Sequence, residues 1–215
     1  MRLLCSLLAL VLSVPALANT QFNYDGFYAR LKKSEKAEYS AITLAFMLQR
    51  QGTQQPCELT GARITTDISD EPLTVAANGE LILPYSELLN NRKALIVLQQ
   101  PANAVPCDLN FRLRSRMPLD ATIKLSQLRQ MHQQFDALLK ELAGLGKYFL
   151  PEMTGLSLHF DKEAVLLSSG SELAAKVQCA STQCTLDLTG TAQLAGELQL
   201  EFNQAPQLAL PLLPR

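Results

Sequence analysis

Tryptophan is absent from this chain, and among its 215 residues only His132 and His159 offer an imidazole. Histidine-based acid–base chemistry therefore has two candidate positions. The nucleophile-elbow pattern Gly-x-Ser-x-Gly is missing, and Ser168-Ser169-Gly170-Ser171 has the composition of a hairpin loop. Basic residues are not in excess, with 19 Lys and Arg against 20 Asp and Glu. That balance argues against a nucleic-acid surface. After residue 18 no apolar run reaches the roughly 20 residues that span a bilayer, so no transmembrane span is expected in the mature chain. Aromatics are 6% of the chain, and Leu95-Ile96-Val97-Leu98 does not alternate. An outer-membrane barrel, which needs alternating strands and aromatic girdles, fits poorly.

What is present begins at the N-terminus. Arg2, the apolar run Leu3 to Leu12, Pro15 and Ala16-Leu17-Ala18 have the order of a secretory signal with a small-residue cleavage site. The reading is a signal peptide over 1–18 and a mature chain over 19–215, exported across the inner membrane to a periplasm. Of five cysteines, Cys5 leaves with the leader. The remaining Cys57, Cys107, Cys179 and Cys184 allow three pairings. Strand phase favours one of them. Cys179 and Cys184 bracket a polar loop, and antiparallel counting puts Val177 opposite Leu186 and Ala175 opposite Leu188, with both cysteines on the apolar face. Cys57 and Cys107 share a Pro-Cys-acidic-Leu setting, each opening an alternating run. The expected bridges are Cys57–Cys107 and Cys179–Cys184. Four buried free thiols are the plainer alternative, disfavoured by an oxidising compartment. Zinc ligation lacks a second ligand pair near Cys-x-x-x-x-Cys.

Periodicity predicts an α+β fold, mainly antiparallel, with a short N-terminal helix and one long amphipathic central helix. The short helix covers Asn23 to Lys33, with Tyr24, Phe27, Tyr28 and Leu31 on one face. From Ser40 the period becomes two, with Ile42, Leu44, Phe46 and Leu48 pointing one way. A strand is expected from Cys57 to about Thr65, then a hairpin turning at Asn78-Gly79, where both positions tolerate positive φ. A helical turn near 84–89 precedes a central strand over 94–99. Cys107 to Met117 alternates, placing Leu109, Phe111 and Leu113 inward and Arg112, Arg114 and Arg116 outward. A strand over 121–125 extends the sheet.

With Ser126 as N-cap, the long helix carries Leu128, Met131, Phe135, Leu138, Leu142, Leu145 and Phe149 at gaps of three and four, as far as Pro151. Strands are then expected over 156–160, 164–167, 172–179, 184–189 and 193–202, connected as a meander. A tail from Pro206 would form an extended strap or a disordered end. The mature chain reads as a single domain, or as two packed lobes meeting near 118–126.

Chemistry is harder to find. His132 sits at the rim of the helix's packed face, and His159 on the outward phase of its strand. Gly144-Leu145-Gly146-Lys147 lacks the full phosphate-loop pattern and lies at a helix end of the wrong polarity. Asp136 with Glu141, and Glu197 with Glu201, read as solvated faces. No cofactor, metal or catalytic residue is assigned. The arginine stripe Arg112-Arg114-Arg116 is the one candidate contact for an anion or an acidic partner. Its plainer reading is an exposed sheet face answered by a neighbouring carboxylate such as Glu58.

Several of these residues together resemble a known family. Phe22-x-Tyr24-x-x-Phe27-Tyr28, Cys57 and Cys107, Leu83-Pro84, and Phe149-x-Pro151-x-x-x-Gly155-Leu156 are similar to uncharacterised gammaproteobacterial envelope proteins grouped as a domain of unknown function. The likeness covers most of the mature chain, and the Cys179–Cys184 hairpin departs from it. It implies a Gram-negative periplasm and no activity, so no functional residue is carried over. The expectation is a non-enzymatic binding or envelope-associated protein whose partner is an envelope protein or a small apolar or amphipathic ligand. The alternative is a hydrolase with an unrecognised active site.

Overall fold

The computed structural model describes residues 18–214; the leader reading lies outside the described residues apart from Ala18. The first half contains β1 (Ala18–Asn23), α1 (Tyr24–Ser34), β2 (Ile42–Arg50), β3 (Gly61–Thr65), β4 (Asp70–Pro72), β5 (Thr74–Val75), β6 (Glu80–Ile82), α2 (Glu87–Asn91), β7 (Leu95–Gln100) and β8 (Cys107–Ser115). The second contains β9 (Thr122–Lys124), α3 (Leu125–Ala143), β10 (Gly155–His159), β11 (Leu166–Ser169), α4 (Ser171–Ala174), β12 (Val177–Ala180), β13 (Gln183–Asp187), β14 (Gln199–Phe202) and β15 (Leu208–Leu212). The described strands form four antiparallel sheets, ordered β1-β7-β3-β4, β5-β6-β2-β8, β11-β14-β9 and β12-β13-β10-β15. This is an α+β fold with a short N-terminal helix and one long central helix.

Two strands are apolar on both faces and lie inside their sheets. β2 is paired with β6 and β8 and is buried on both sides, from Ile42 to Gln49. β7 runs between β1 and β3 with Ile96 and Leu98 buried. Tyr24 anchors α1: fully buried, it donates from its hydroxyl to the Pro84 carbonyl and accepts from the Ser86 N–H at 3.1 Å.

α3 buries Leu125, Leu128, Met131, Gln134, Phe135 and Leu138 along one stripe. Burying each large apolar side chain contributes about 1.5–3 kcal/mol. Gln134 is polar yet buried because its Oε1 accepts the Ala41 N–H at 3.0 Å. The helix starts at Leu125, one residue before the expected Ser126 cap, where Gln127 Oε1 accepts the Lys124 N–H at 3.0 Å. It also ends earlier than its periodicity suggests. Gly144 takes φ 56°, and residues 144–149 continue as a tighter 3₁₀ turn. Leu145 and Phe149 keep the sequence spacing but leave the packed face, being 86% and 91% exposed.

Other elements shift for local reasons. The run after Cys57 is irregular until Gly61, where β3 begins. In the β5–β6 turn only Gly79 has positive φ (86°), with the Gly79 N–H bonded to the Ala76 carbonyl and the Asn78 side chain capping Glu80. Residues 171–174 make a helical turn where a strand was expected, so Ala175 stands outside the hairpin register. The segment 193–198 is likewise not strand, and β14 begins at Gln199. The second half is not a plain meander: the tail returns as β15, pairing with β10 from Leu208 opposite His159 to Leu212 opposite Gly155. Gly155 makes that sheet possible, because a Cβ there would overlap the Leu186 carbonyl of β13. Buried side chains of α1, β2, β7, α3, β10 and β14 belong to one continuous apolar cluster.

Candidate functional site

The arginine stripe on β8 does not face open water. All three arginines are half-buried, and the β2 residues opposite Arg112 and Arg114, Ala45 and Thr43, are buried. Arg114 reaches Glu80 on β6, its Nε lying 3.1 Å from both carboxylate oxygens and its Nη2 2.7 Å from Oε1. The same guanidinium donates to the Ser115 carbonyl at 2.7 Å. Glu80 is only 8% exposed, so its charge depends on this pairing. Arg116 pairs with Glu35 beyond α1, at 3.1 Å. Glu58, the carboxylate expected to answer the stripe, is exposed and makes no ion pair among the described residues.

Arg112 is different. It has no ion pair or side-chain hydrogen bond among the described residues, and it borders an apolar cleft of about 400 Å³. One wall is β2 and β8, through Leu44 and Leu113. Leu139 and Leu142 of α3 form the second; Leu210 and Pro211 of β15 form the third. Phe111 stands at the rim, 49% exposed instead of inward, with the Arg30 guanidinium 4.7 Å from its ring centroid and Phe46 edge-on at 5.6 Å. Among the described residues Arg112 is the one charged side chain on the cleft wall. The volume lies within the usual range for small-molecule sites, about 300–1,000 Å³. A smaller cavity of about 270 Å³ beside 116–123 has a mixed lining, but its arginine, Arg116, is already committed to Glu35.

His159, on the outward phase of β10, belongs to a polar cluster with Ser157 and Gln183, neither of which stands out by itself in the sequence. Ser157 is buried, accepts a hydrogen bond from Gln183 Nε2 at 2.7 Å, and lies 3.0 Å from His159 Nε2. The serine hydroxyl thus sits between the Gln183 amide, which donates to it, and the imidazole, whose tautomer sets the direction of the second hydrogen bond. Burial, and after it the Arg112 charge, hold His159 below the ordinary imidazole range. His159 is opposite Leu208 at the start of β15, near enough to Arg112 to feel its charge. The visible signal was two polar residues, i and i+2, on one face of an otherwise apolar strand. The cluster does not make a triad: no carboxylate bonds His159 among the described residues, and neither residue lines a cavity described above. His132 lies where its helix phase predicts, with Nε2 donating to the Met153 carbonyl at 3.1 Å.

The cysteines and carboxylates do structural work. Cys57 is bonded to Cys107, with Cα atoms 5.8 Å apart, and Cys179 to Cys184, directly opposite in register at 4.0 Å. Glu141 accepts from Lys36 Nζ at 2.7 Å and from the Tyr39 hydroxyl at 2.9 Å, tying the end of α3 to the turn after α1. The Lys36 ammonium holds that carboxyl below its usual range, with partial burial opposing and Tyr39 assisting. Asp136 pairs with Lys140 and Glu197 with Lys124. No group of three or more His, Cys, Asp and Glu side chains is arranged to hold a metal among the described residues. No helix among them is long and apolar enough to cross a membrane.

Fold and site together describe an α+β protein with an apolar cleft between a helix end and two sheet edges. Residues 16–160 match the family model DUF2987, described as a protein of unknown function, and the chain belongs to that family. The matched segment includes α3, the Cys57–Cys107 bridge and two cleft walls; β15 and the Cys179–Cys184 hairpin follow it. No curated protein and no solved structure matches the chain.

Proposed function

We propose that this is an exported, non-enzymatic binding protein of a Gram-negative periplasm, and that the cleft takes a small amphipathic molecule with an apolar body and an anionic head. The observation that carries the reading is the combination of leucine-lined walls with Arg112, a guanidinium without a carboxylate partner among the described residues. Apolar contact supplies the affinity, and the cation orients the head group. The order of the leader residues and the two bridges support export. The continuous buried cluster supports one folding unit over 19–215.

Calorimetric titration with a long-chain fatty acid as probe tests this. Saturable binding is expected, weakened about tenfold by Arg112→Ala through loss of a charge-assisted hydrogen bond. Absence of binding, or equal affinity in Arg112→Ala, contradicts the reading. A second reading, hydrolysis through Ser157, draws on the Ser157–His159 contact alone. Labelling of the wild type by a fluorophosphonate, lost in Ser157→Ala, would support it; an unlabelled protein would remove it.

A further inference from the structure

The three most exposed large apolar side chains in the described chain occur within five residues: Leu145 (86%), Tyr148 (76%) and Phe149 (91%). They stand on the 3₁₀ turn Gly144–Phe149, between the end of α3 and Pro151. All six residues of the turn are exposed, and none of them lines the cleft. Lys147 lies in the same turn with its ammonium 5.2 Å from the Tyr148 ring centroid, and it makes no ion pair among the described residues. Leucine, two aromatic rings and one long-stemmed cation on an exposed turn suit the boundary between lipid head groups and acyl chains. There aromatic rings sit at head-group depth and lysine extends its charge outward. The position of the turn is equally specific. Leu142 and Ala143, immediately before Gly144, line the cleft.

We propose that the turn 144–149 is a membrane-docking element that inserts Leu145, Tyr148 and Phe149 into the interfacial layer of a phospholipid bilayer. Docking there brings the cleft mouth to the lipid surface, where apolar and amphipathic molecules reside. The insertion is driven by apolar contact with a single lysine beside it, so binding is only weakly salt-dependent. The proposal stands independently of what the cleft holds.

The absence of tryptophan provides the test. Tyr148→Trp places one fluorophore on the turn, and Leu88→Trp, on an exposed residue of α2, serves as the control. Both proteins, prepared with identical N-termini, are titrated with vesicles of phosphatidylethanolamine and phosphatidylglycerol. The expected result is a blue shift and quenching by brominated lipid for Tyr148→Trp, with neither for Leu88→Trp. In the Tyr148→Trp background, adding Leu145→Ser and Phe149→Ser should weaken vesicle partitioning about tenfold or more, with fatty-acid binding in lipid-free solution unchanged. An unshifted Tyr148→Trp at saturating lipid overturns the proposal. So does a shift that follows protein concentration without lipid, which would mean self-association. Loss of fatty-acid binding alone, with the lipid-dependent shift intact, would refute the cleft reading and leave the docking turn standing.

Discussion

Glu80→Gln is the sharpest single test of how the arginine face is held. Glu80 is 8% exposed and accepts three contacts from Arg114, at 2.7, 3.1 and 3.1 Å. Removing one member of a buried ion pair costs about 3–5 kcal/mol, because the surviving charge is left uncompensated. Two features reduce that here. Arg114 keeps the Ser115 carbonyl at 2.7 Å, and its side chain is 22% exposed. The expected loss is therefore about 2–3 kcal/mol, or roughly 4–12 °C in Tm for a chain of this size. Urea unfolding of the wild type, Glu80→Gln and the double variant Glu80→Leu/Arg114→Met measures it. The double variant should regain more than half of the loss, since two apolar side chains leave no buried charge. A cost for Glu80→Gln below about 0.5 kcal/mol, the level of an exposed pair, would refute the buried-pair reasoning.

Gly155→Ala should destabilise by about 2 kcal/mol or more, because the new Cβ meets backbone of β13 and nothing flexible can yield; an unchanged urea midpoint would show that β10 and β13 can part. Folded His159 is held below the value near 6.5 that it takes in the unfolded chain, which therefore binds the proton first. Stability from this group is complete above that pH and is lost as pH falls through the folded value. His159→Asn should flatten the loss of urea stability that begins as pH falls through the unfolded value near 6.5, and an identical pH profile would count against the assignment. Opening the Cys57–Cys107 bridge, which closes a span of 50 residues, should cost about 4 kcal/mol, against about 2 kcal/mol for Cys179–Cys184. Comparing the paired Cys→Ser variants by urea denaturation checks the order, and a larger loss at the short loop would reverse it.

Local periodicity made much of the fold legible. The three-and-four spacing from Leu128 to Leu138 becomes the buried stripe of α3, and antiparallel counting from Cys179 and Cys184 finds the register of β12 and β13. The alternation of β8 also appears, but the arginines of its polar phase are half-buried and two of the three are paired. The carboxylates that reach Arg114 and Arg116 lie 34 and 81 residues away, beyond the reach of local pattern. Leu145 and Phe149 continued the helical period past a glycine whose backbone turns the chain outward, so the same spacing lost its meaning at Gly144. The cleft was hidden for the same reason. Leu44, Arg112, Leu142 and Leu210 come from four separate stretches, and only sheet order and helix placement bring them together. Tyr24 and the Leu83-Pro84 segment, two separate parts of the family resemblance, meet through the Tyr24 hydroxyl.

Native mass spectrometry of the protein recovered gently from cells that make it addresses the cleft most directly. Wild type should carry a small-molecule adduct that organic solvent releases, and Ala143→Phe, which fills the cleft beside Leu142, should not. A wild type that always weighs the bare polypeptide, or an adduct that persists unchanged in Ala143→Phe, would contradict a ligand held between α3, β8 and β15.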